Sequence, residues 1–173
     1  YPRTDARVLS TAVAKEIHKN IGGLRNYALA APFAKEVLEQ GTYKNIAKTR
    51  YVNDKQITDH YAIIPTGQGL NNLAGLAPTA AKVYEVIVRR FLSIFYPPAV
   101  YQKFSLTLQV KEESFFASFK VLIQEGYLKV TNFSFKKENT ALKEDKENEN
   151  ESADEKCDAE LTSLLMHLKK GDT

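Results

Sequence analysis

The stretch PTAAKVYEVIVRRFLSIFYPPAVYQKFSLTLQV (residues 78–110) changes its hydrophobic period halfway along, and this change decides the fold. Before Tyr96 the apolar residues recur at three- and four-residue spacing, which predicts a helix that opens at Pro78. Pro97 and Pro98 end that helix, since proline cannot continue one. Beyond the prolines apolar and polar residues alternate, which predicts a half-buried β-strand. The chain is therefore expected to be an α+β protein whose two parts meet near Tyr96.

The part after the prolines predicts an antiparallel β-meander. Residues 104–110 and residues 115–123 alternate in the same manner, with Glu112-Glu113 in the turn between them. Gly126 then separates a third short run, residues 127–130, which we interpret as a third strand.

The N-terminal part predicts two short helices and a loop. Ser10 is a suitable N-cap for a helix over residues 11–20. Pro32 opens a second helix and Gly41 ends it. Residues 43–66 show no regular period, so we expect a loop there.

Composition excludes several classes of protein. The chain has 173 residues, of which 43% are hydrophobic and 26% charged, which excludes a wholly disordered or collagen-like protein. No apolar stretch approaches the roughly 18 residues of a membrane span, so a membrane partner is not expected. One cysteine, Cys157, and three scattered histidines offer no metal-ligand spacing, so no metal site is expected within the chain.

Charge is distributed unevenly along the chain. Residues 1–132 hold 17 Lys and Arg against 10 Asp and Glu, a surplus of +7, which is compatible with a polyanionic partner. Residues 133–173 hold 7 against 11, a balance of −4. Residues 136–160 contain almost no apolar side chains, so we predict a mobile, solvated acidic insertion. The leucines of residues 161–168 could return as a short element that packs on the sheet.

The opening Tyr1-Pro2-Arg3-Thr4-Asp5 carries the strongest chemical signal. Proline favours an extended conformation for the residue before it, so Tyr1 and Arg3 are expected to share one face. A phenol with a pKa near about 10 is a poor nucleophile unless a cation stabilises the developing charge. Arg3 is a suitable cation, because its planar guanidinium donates two hydrogen bonds to a phosphate. Taken alone, so short a motif also fits a terminal aromatic beside a solvated surface charge.

His60 is the second candidate site residue. It stands in the stretch TDHYAIIPT (residues 58–66), where it could donate a hydrogen bond to a phosphate oxygen or move a proton. A lone histidine carries no spacing information, so taken alone this residue favours a structural role over a functional one.

The two stretches together resemble the active-tyrosine region of type IA DNA topoisomerases, in particular the bacterial topoisomerase III branch. The stretch RYVN (residues 50–53), the stretch RRFL (residues 89–92) and the stretch FYPPA (residues 95–99) are also similar to that family in order and spacing. The resemblance covers most of residues 1–132.

The resemblance implies a protein that cuts one DNA strand, passes another through the gap and reseals it without ATP. By position, Tyr1 matches the nucleophile that becomes joined to a 5′ phosphate. Arg3 and His60 match the residues that hold that phosphate, while Asp5 is expected to orient Arg3 or to form a local turn. Further contacts to single-stranded DNA are expected from the cluster Lys44, Lys48 and Arg50.

The family also binds Mg²⁺ through an acidic cluster in a separate Toprim domain, which this sequence does not contain. We therefore expect a fragment that is inactive alone, whose Mg²⁺ and Toprim partner lie elsewhere in a longer protein of the bacterial cytoplasm. By resemblance, residues 1–96 correspond to the helical domain with the tyrosine and residues 97–173 to part of the β domain. The sequence departs from the family pattern at Ala6, where relatives often have Ser, and at Tyr61, where many have a second His.

The residues alone leave two other functions possible. A tyrosine recombinase also combines Tyr, Arg and His, although its tyrosine usually follows the other two in sequence. The other alternative is a non-enzymatic DNA-binding or assembly module.

Overall fold

The computed structural model describes residues 4–135 and residue 167. The described helices are α1 (Thr11–Gly23), α2 (Ala31–Gln40), α3 (Pro78–Ser93) and α4 (Leu128–Thr131), and the strands are β1 (Val100–Val110) and β2 (Glu113–Gln124). Short 3₁₀ segments cover Leu24–Asn26, Thr42–Lys48, Asp54–Gln56 and Leu70–Gly75. This content confirms the α+β class. Tyr1, Arg3 and the predicted acidic insertion lie outside the described residues, as does the predicted element over residues 161–168 apart from residue 167.

The described chain divides into two compact units. A helical unit holds residues 4–98 and 126–135, and a second unit holds residues 99–125. The core of the helical unit is formed by apolar side chains of α1, α2 and α3, among them Ile17, Val37 and Leu92, which are almost fully buried. The assignment of residues 1–96 and 97–173 to two domains stays a prediction. Within the described part of the chain, no helix is long and apolar enough to cross a membrane.

The three long helices begin where their capping residues predict. The Ser10 hydroxyl accepts a hydrogen bond from the backbone N–H of Val13 at 3.1 Å, which starts α1. Pro32 and Pro78 occupy the first turns of α2 and α3, and Gly41, with a φ of 67°, ends α2. Helix α1 extends three residues beyond the predicted Asn20.

The hairpin confirms two of the predicted strands. Phe104 pairs with Phe119, and Leu108 pairs with Phe115, so the alternating apolar residues of both strands share one face. The prediction that this face is half-buried is wrong for much of its length, since Leu108 and Phe115 are 63% and 58% exposed. Alternation determines which side chains share a face, whereas burial requires a second layer over them.

The predicted third strand is wrong, because residues 127–130 enter helix α4 instead. The Tyr127 N–H donates to the Pro97 carbonyl at 2.9 Å, and Val130 is fully buried in the core of the helical unit. Tyr127 and Val130 are three residues apart, which also fits one face of a helical turn. Periodicity cannot distinguish a strand from a helix in so short a run.

A buried ion pair holds the segment after α4 against α3. Glu85 and Arg89 are both buried, and the Arg89 Nε donates to Glu85 Oε1 at 2.7 Å. The Arg89 Nη1 also donates to the Val130 carbonyl at 3.1 Å. The backbone N–H of Ser134 donates to Glu85 Oε1 at 2.7 Å, and the Ser134 hydroxyl donates to Glu85 Oε2. The segment is therefore attached to the helical unit by charge-assisted hydrogen bonds.

Candidate functional site

The residues after the Tyr-Pro-Arg motif form an extended segment between two other segments of the helical unit. On one side, the Leu9 N–H donates to the Tyr51 carbonyl at 2.8 Å, and the Asn53 N–H donates to the Leu9 carbonyl at 3.0 Å. On the other side, the Ala62 N–H donates to the Val8 carbonyl at 2.9 Å. The N-terminal segment is thus fixed between the stretch that contains Arg50 and the loop that contains His60.

Thr4 contacts His60 directly. The Thr4 hydroxyl donates to the His60 carbonyl at 3.4 Å, and it accepts from the backbone N–H of Ala6 at 3.1 Å. The structure therefore brings the backbone of the predicted histidine to the residue that follows Arg3 in sequence. The His60 side chain is exposed, which leaves the imidazole accessible to a ligand.

Two glycines fix the loop after His60 against the end of α1. A Cβ added at Gly23 would collide with the Gly67 carbonyl, and Gly67 adopts a φ of 72° that favours glycine. The Asn20 side-chain amide also donates to the Pro65 carbonyl at 2.9 Å. The loop that carries His60 is therefore anchored at its C-terminal end.

The predicted cationic cluster is divided between two neighbouring segments of the chain. Lys44 and Lys48 belong to the 3₁₀ segment Thr42–Lys48, where both are exposed. Within the described residues neither forms a hydrogen bond or an ion pair with Thr4 or His60. Arg50 precedes Tyr51, whose carbonyl accepts a hydrogen bond from the Leu9 N–H of the N-terminal segment.

Arg50 holds its guanidinium over the ring of its neighbour. The Arg50 Cζ lies 5.3 Å from the centroid of the Tyr51 ring, and its Nη2 donates to the Tyr51 hydroxyl at 3.4 Å. This hydrogen bond raises the pKa of Arg50, so the side chain keeps its positive charge. A guanidinium on an aromatic ring is a suitable partner for a phosphate or a base.

Three of the predicted roles are not tested by this geometry. Tyr1 and Arg3 precede the described residues, and the predicted action of Asp5 depends on Arg3. Asp5 itself is exposed. These assignments stay predictions.

Sequence reasoning missed the contact of Thr4. The local part of this contact had a sequence signal, because a threonine hydroxyl often accepts a hydrogen bond from the backbone N–H two residues later and so stabilises a turn. The second contact of Thr4, to a residue 56 positions later, is tertiary and leaves no local pattern in the sequence.

Comparison with known protein families defines the class of this chain. Residues 1–171 match the sequence profile of the family described as DNA topoisomerase, and the chain belongs to that family.

Comparison with individual proteins specifies the branch. The chain is 31% identical over 175 residues to DNA topoisomerase 3 of Bacillus cereus and 30% identical over 173 residues to DNA topoisomerase 3 of Bacillus subtilis. Each alignment covers 100% of this chain and 21% of the relative. The resemblance to type IA topoisomerases of the bacterial topoisomerase III branch is confirmed, and the chain spans about a fifth of the length of these relatives.

Proposed function

We propose that this chain is the tyrosine-bearing part of an enzyme that changes DNA topology by cutting and resealing one strand. The observation that carries the proposal is the contact of Thr4 with the His60 carbonyl at 3.4 Å. Tyr1, Pro2 and Arg3 directly precede Thr4 in the chain. The contact therefore supports a site in which the Tyr-Pro-Arg motif acts beside the exposed His60.

The proposed reaction conserves the phosphodiester bond energy. The Tyr1 phenol oxygen attacks the phosphorus, a tyrosine–phosphate bond forms, and the bond from phosphorus to the 3′ oxygen breaks. The phenol loses one proton, and the leaving 3′ oxygen gains one proton and becomes a hydroxyl. Resealing is the reverse reaction, so no ATP is consumed.

Arg3 and His60 act in this reaction as hydrogen-bond donors. Negative charge accumulates on the phosphate oxygens in the transition state, and positioned donors stabilise that charge. Arg3 donates from a permanently charged guanidinium, whereas His60 donates from an exposed imidazole.

Binding of the strand is proposed to involve Lys44, Lys48 and Arg50. Single-stranded DNA combines a charged backbone with stackable bases, so salt-sensitive binding to exposed cations is expected. The preference for single strands and the cytoplasmic location, where bacterial DNA lies, both belong to this proposal.

Magnesium belongs to the proposal for the longer polypeptide. Among residues 4–135 and 167 no group of three or more His, Cys, Asp or Glu side chains is placed to hold a metal ion. These residues do not fit a magnesium centre. We propose that the ion and the Toprim domain that binds it are supplied by the rest of the longer protein.

The decisive experiment uses the full-length polypeptide with Mg²⁺ and single-stranded DNA labelled at either end. After quenching with detergent, the 3′-end label is expected to migrate with the protein, because a 5′-phosphotyrosine retains the downstream fragment. Tyr1→Phe should abolish this adduct, while Tyr101→Phe, in the hairpin, serves as the matched control. Transfer of the 5′-end label instead would indicate a recombinase-type linkage. An adduct that persists in Tyr1→Phe would assign the nucleophile to another residue and contradict the role of Tyr1, and DNA binding without any adduct in the parent protein would favour the DNA-binding module.

A further inference from the structure

Asp54 connects the two segments of the chain that meet at the candidate site. Its carboxylate accepts two hydrogen bonds from Thr11: the backbone N–H donates to Oδ1 at 2.8 Å, and the hydroxyl donates to Oδ2 at 2.6 Å. The bond from the hydroxyl contributes most to a lowered pKa of Asp54, and the bond from the backbone N–H acts in the same direction. The carboxylate is therefore charged at neutral pH and uses both oxygens on one residue.

The same carboxylate lies at the start of helix α1. The first turn of α1 has the sequence Thr-Ala-Val, and the Ser10 hydroxyl accepts from the Val13 N–H. Asp54 accepts from the Thr11 N–H, another of the four backbone N–H groups that have no partner inside the helix. A negative charge also interacts favourably with the positive end of a helix. The contact is therefore a charge-assisted connection between α1 and the segment before His60.

The histidine loop (residues 57–61) is attached at both ends to the N-terminal segment of the chain. Before the loop, Asp54 holds the first residue of α1. After the loop, the Ala62 N–H donates to the Val8 carbonyl at 2.9 Å. Residues 58–61 between these contacts are exposed, so packing contributes little to their position. The position of the imidazole therefore depends on the two attachments.

The two ends of the loop differ in how firmly they are held. Beyond its end, the chain is also fixed by the close approach of Gly67 to the last turn of α1. Before its start, the backbone pairing is one isolated bridge between Leu9 and Val52. The Asp54 carboxylate adds its two bonds to that bridge. Loss of the carboxylate is therefore expected to loosen the start of the loop while the end stays in place.

We propose that Asp54 is a positioning residue for strand cleavage, which sets the place of His60 relative to the Tyr-Pro-Arg motif. It does so by holding the start of the histidine loop against the segment that follows the motif. The proposal rests on the proposed function, since it takes Tyr1 and His60 as groups that act on one phosphate. A displacement of about 1 Å between reacting groups costs up to about a hundredfold in rate, so a residue that does not touch the DNA can control the reaction.

Single-turnover cleavage by the full-length polypeptide with Mg²⁺ tests the proposal. Single-stranded DNA labelled at its 3′ end is mixed with increasing excesses of protein, which separates the maximal rate of adduct formation from the half-saturating concentration. Asp54→Ala should lower the maximal rate about tenfold or more and leave the half-saturating concentration within about twofold, because the groups that bind the strand remain.

Variants of Thr11 test whether Asp54 acts through this contact. Thr11→Val removes the hydroxyl and should lower the maximal rate by a smaller factor, because the backbone bond to Asp54 remains. Thr11→Ser keeps the hydroxyl and should retain the parent rate. The double variant Asp54→Ala, Thr11→Val should be no slower than Asp54→Ala alone, since the contact is already lost.

Two further variants control for stability and charge. Ile17→Val truncates a fully buried side chain of α1 and should cleave at the parent rate at a temperature at which circular dichroism shows every variant to be folded. Glu16→Ala removes an exposed carboxylate of the same helix and should also retain the parent rate. A loss of rate in either control equal to that of Asp54→Ala would overturn the positioning role.

Three other results would also overturn it. These are a parent maximal rate in Asp54→Ala, a change confined to the half-saturating concentration, and a double variant slower by the product of the two single effects. The proposed function fails in a different way, because the parent protein then forms no adduct and the positioning role is lost with it. A parent that forms the adduct at the same rate as Asp54→Ala retains the cleavage chemistry and loses only the role of Asp54.

Discussion

Glu85 illustrates how one residue can connect distant parts of the chain. Its carboxylate accepts hydrogen bonds from Arg89 in the same helix and from Ser134, 49 residues later. Burial alone acts to raise the pKa of Glu85, but the hydrogen bonds from Ser134 and Arg89 outweigh it and hold the pKa below its ordinary value of 4.5. The group is therefore charged at neutral pH in spite of its burial.

Glu85→Gln should lower the free energy of unfolding by about 3 kcal/mol, because it leaves the Arg89 guanidinium buried without a counter-charge. Urea unfolding at pH 7 measures the change. Glu39→Gln is the matched control, since Glu39 pairs with Lys35 in an exposed position and should change stability by less than about 0.5 kcal/mol. Equal effects of the two substitutions would contradict the importance assigned to Glu85.

At the scale of elements, helix α4 depends on two carboxylates of other helices. Glu85 of α3 holds the segment at Ser134, and Glu36 of α2 pairs with Lys129 at 2.7 Å and accepts from the Tyr96 hydroxyl at 2.8 Å. The hydrogen bond from Lys129 is the largest cause of a lowered pKa at Glu36, and the Tyr96 hydroxyl acts in the same direction. The docking of α4 is therefore linked to proton binding.

Acid should weaken this docking. Both carboxyls have a lower pKa in the folded than in the unfolded chain, so their stabilisation is complete above about pH 4.5 and is lost as the pH falls through the folded values. The midpoint of urea unfolding is expected to fall steeply below pH 4.5. A Glu36→Gln, Glu85→Gln double variant should be less stable at pH 7 and show a shallower decline. An unchanged decline in the double variant would place the acid sensitivity in other groups.

The elements also show how far the sequence could predict the structure. Helix α3 and the hairpin followed from periodicity, because each pattern persists over seven residues or more and is bounded by prolines or a turn. Residues 127–130 were misassigned because their fold depends on the tertiary partners Pro97 and Arg89, which no local pattern contains. His60 could be singled out from its motif, whereas its contact with Thr4 joins residues 56 positions apart and leaves no local pattern.

At the scale of the whole molecule, the hairpin is inserted into a helical unit that continues on both sides of it. The Tyr127 N–H donates to the Pro97 carbonyl at 2.9 Å, so the chain leaves and re-enters the helical unit at one place. Gly126 adopts a φ of 51°, and a Cβ there would collide with the carbonyls of Pro97 and Pro98. The hydrophobic core of the helical unit includes Val130 and, among the described residues, no side chain of residues 99–125. The stability of the helical unit should therefore not depend on the hairpin.

Excision of residues 99–125, with Pro98 joined to Gly126 by a short Gly-Ser linker, should leave a cooperatively folded protein. The cost of loop closure changes by only about 0.6 kcal/mol for each doubling of loop length, so the helical unit should unfold within about 1 kcal/mol of its value in the parent chain. Urea unfolding followed by circular dichroism at the helical band measures this. A chain that ends at Pro98 provides the control, because it also lacks Val130 and Ser134, so that Arg89 loses the Val130 carbonyl and Glu85 loses the Ser134 donors. If the excised chain unfolded as early as this control, the hairpin would be part of the same cooperative unit and the independence argued from the core would be wrong.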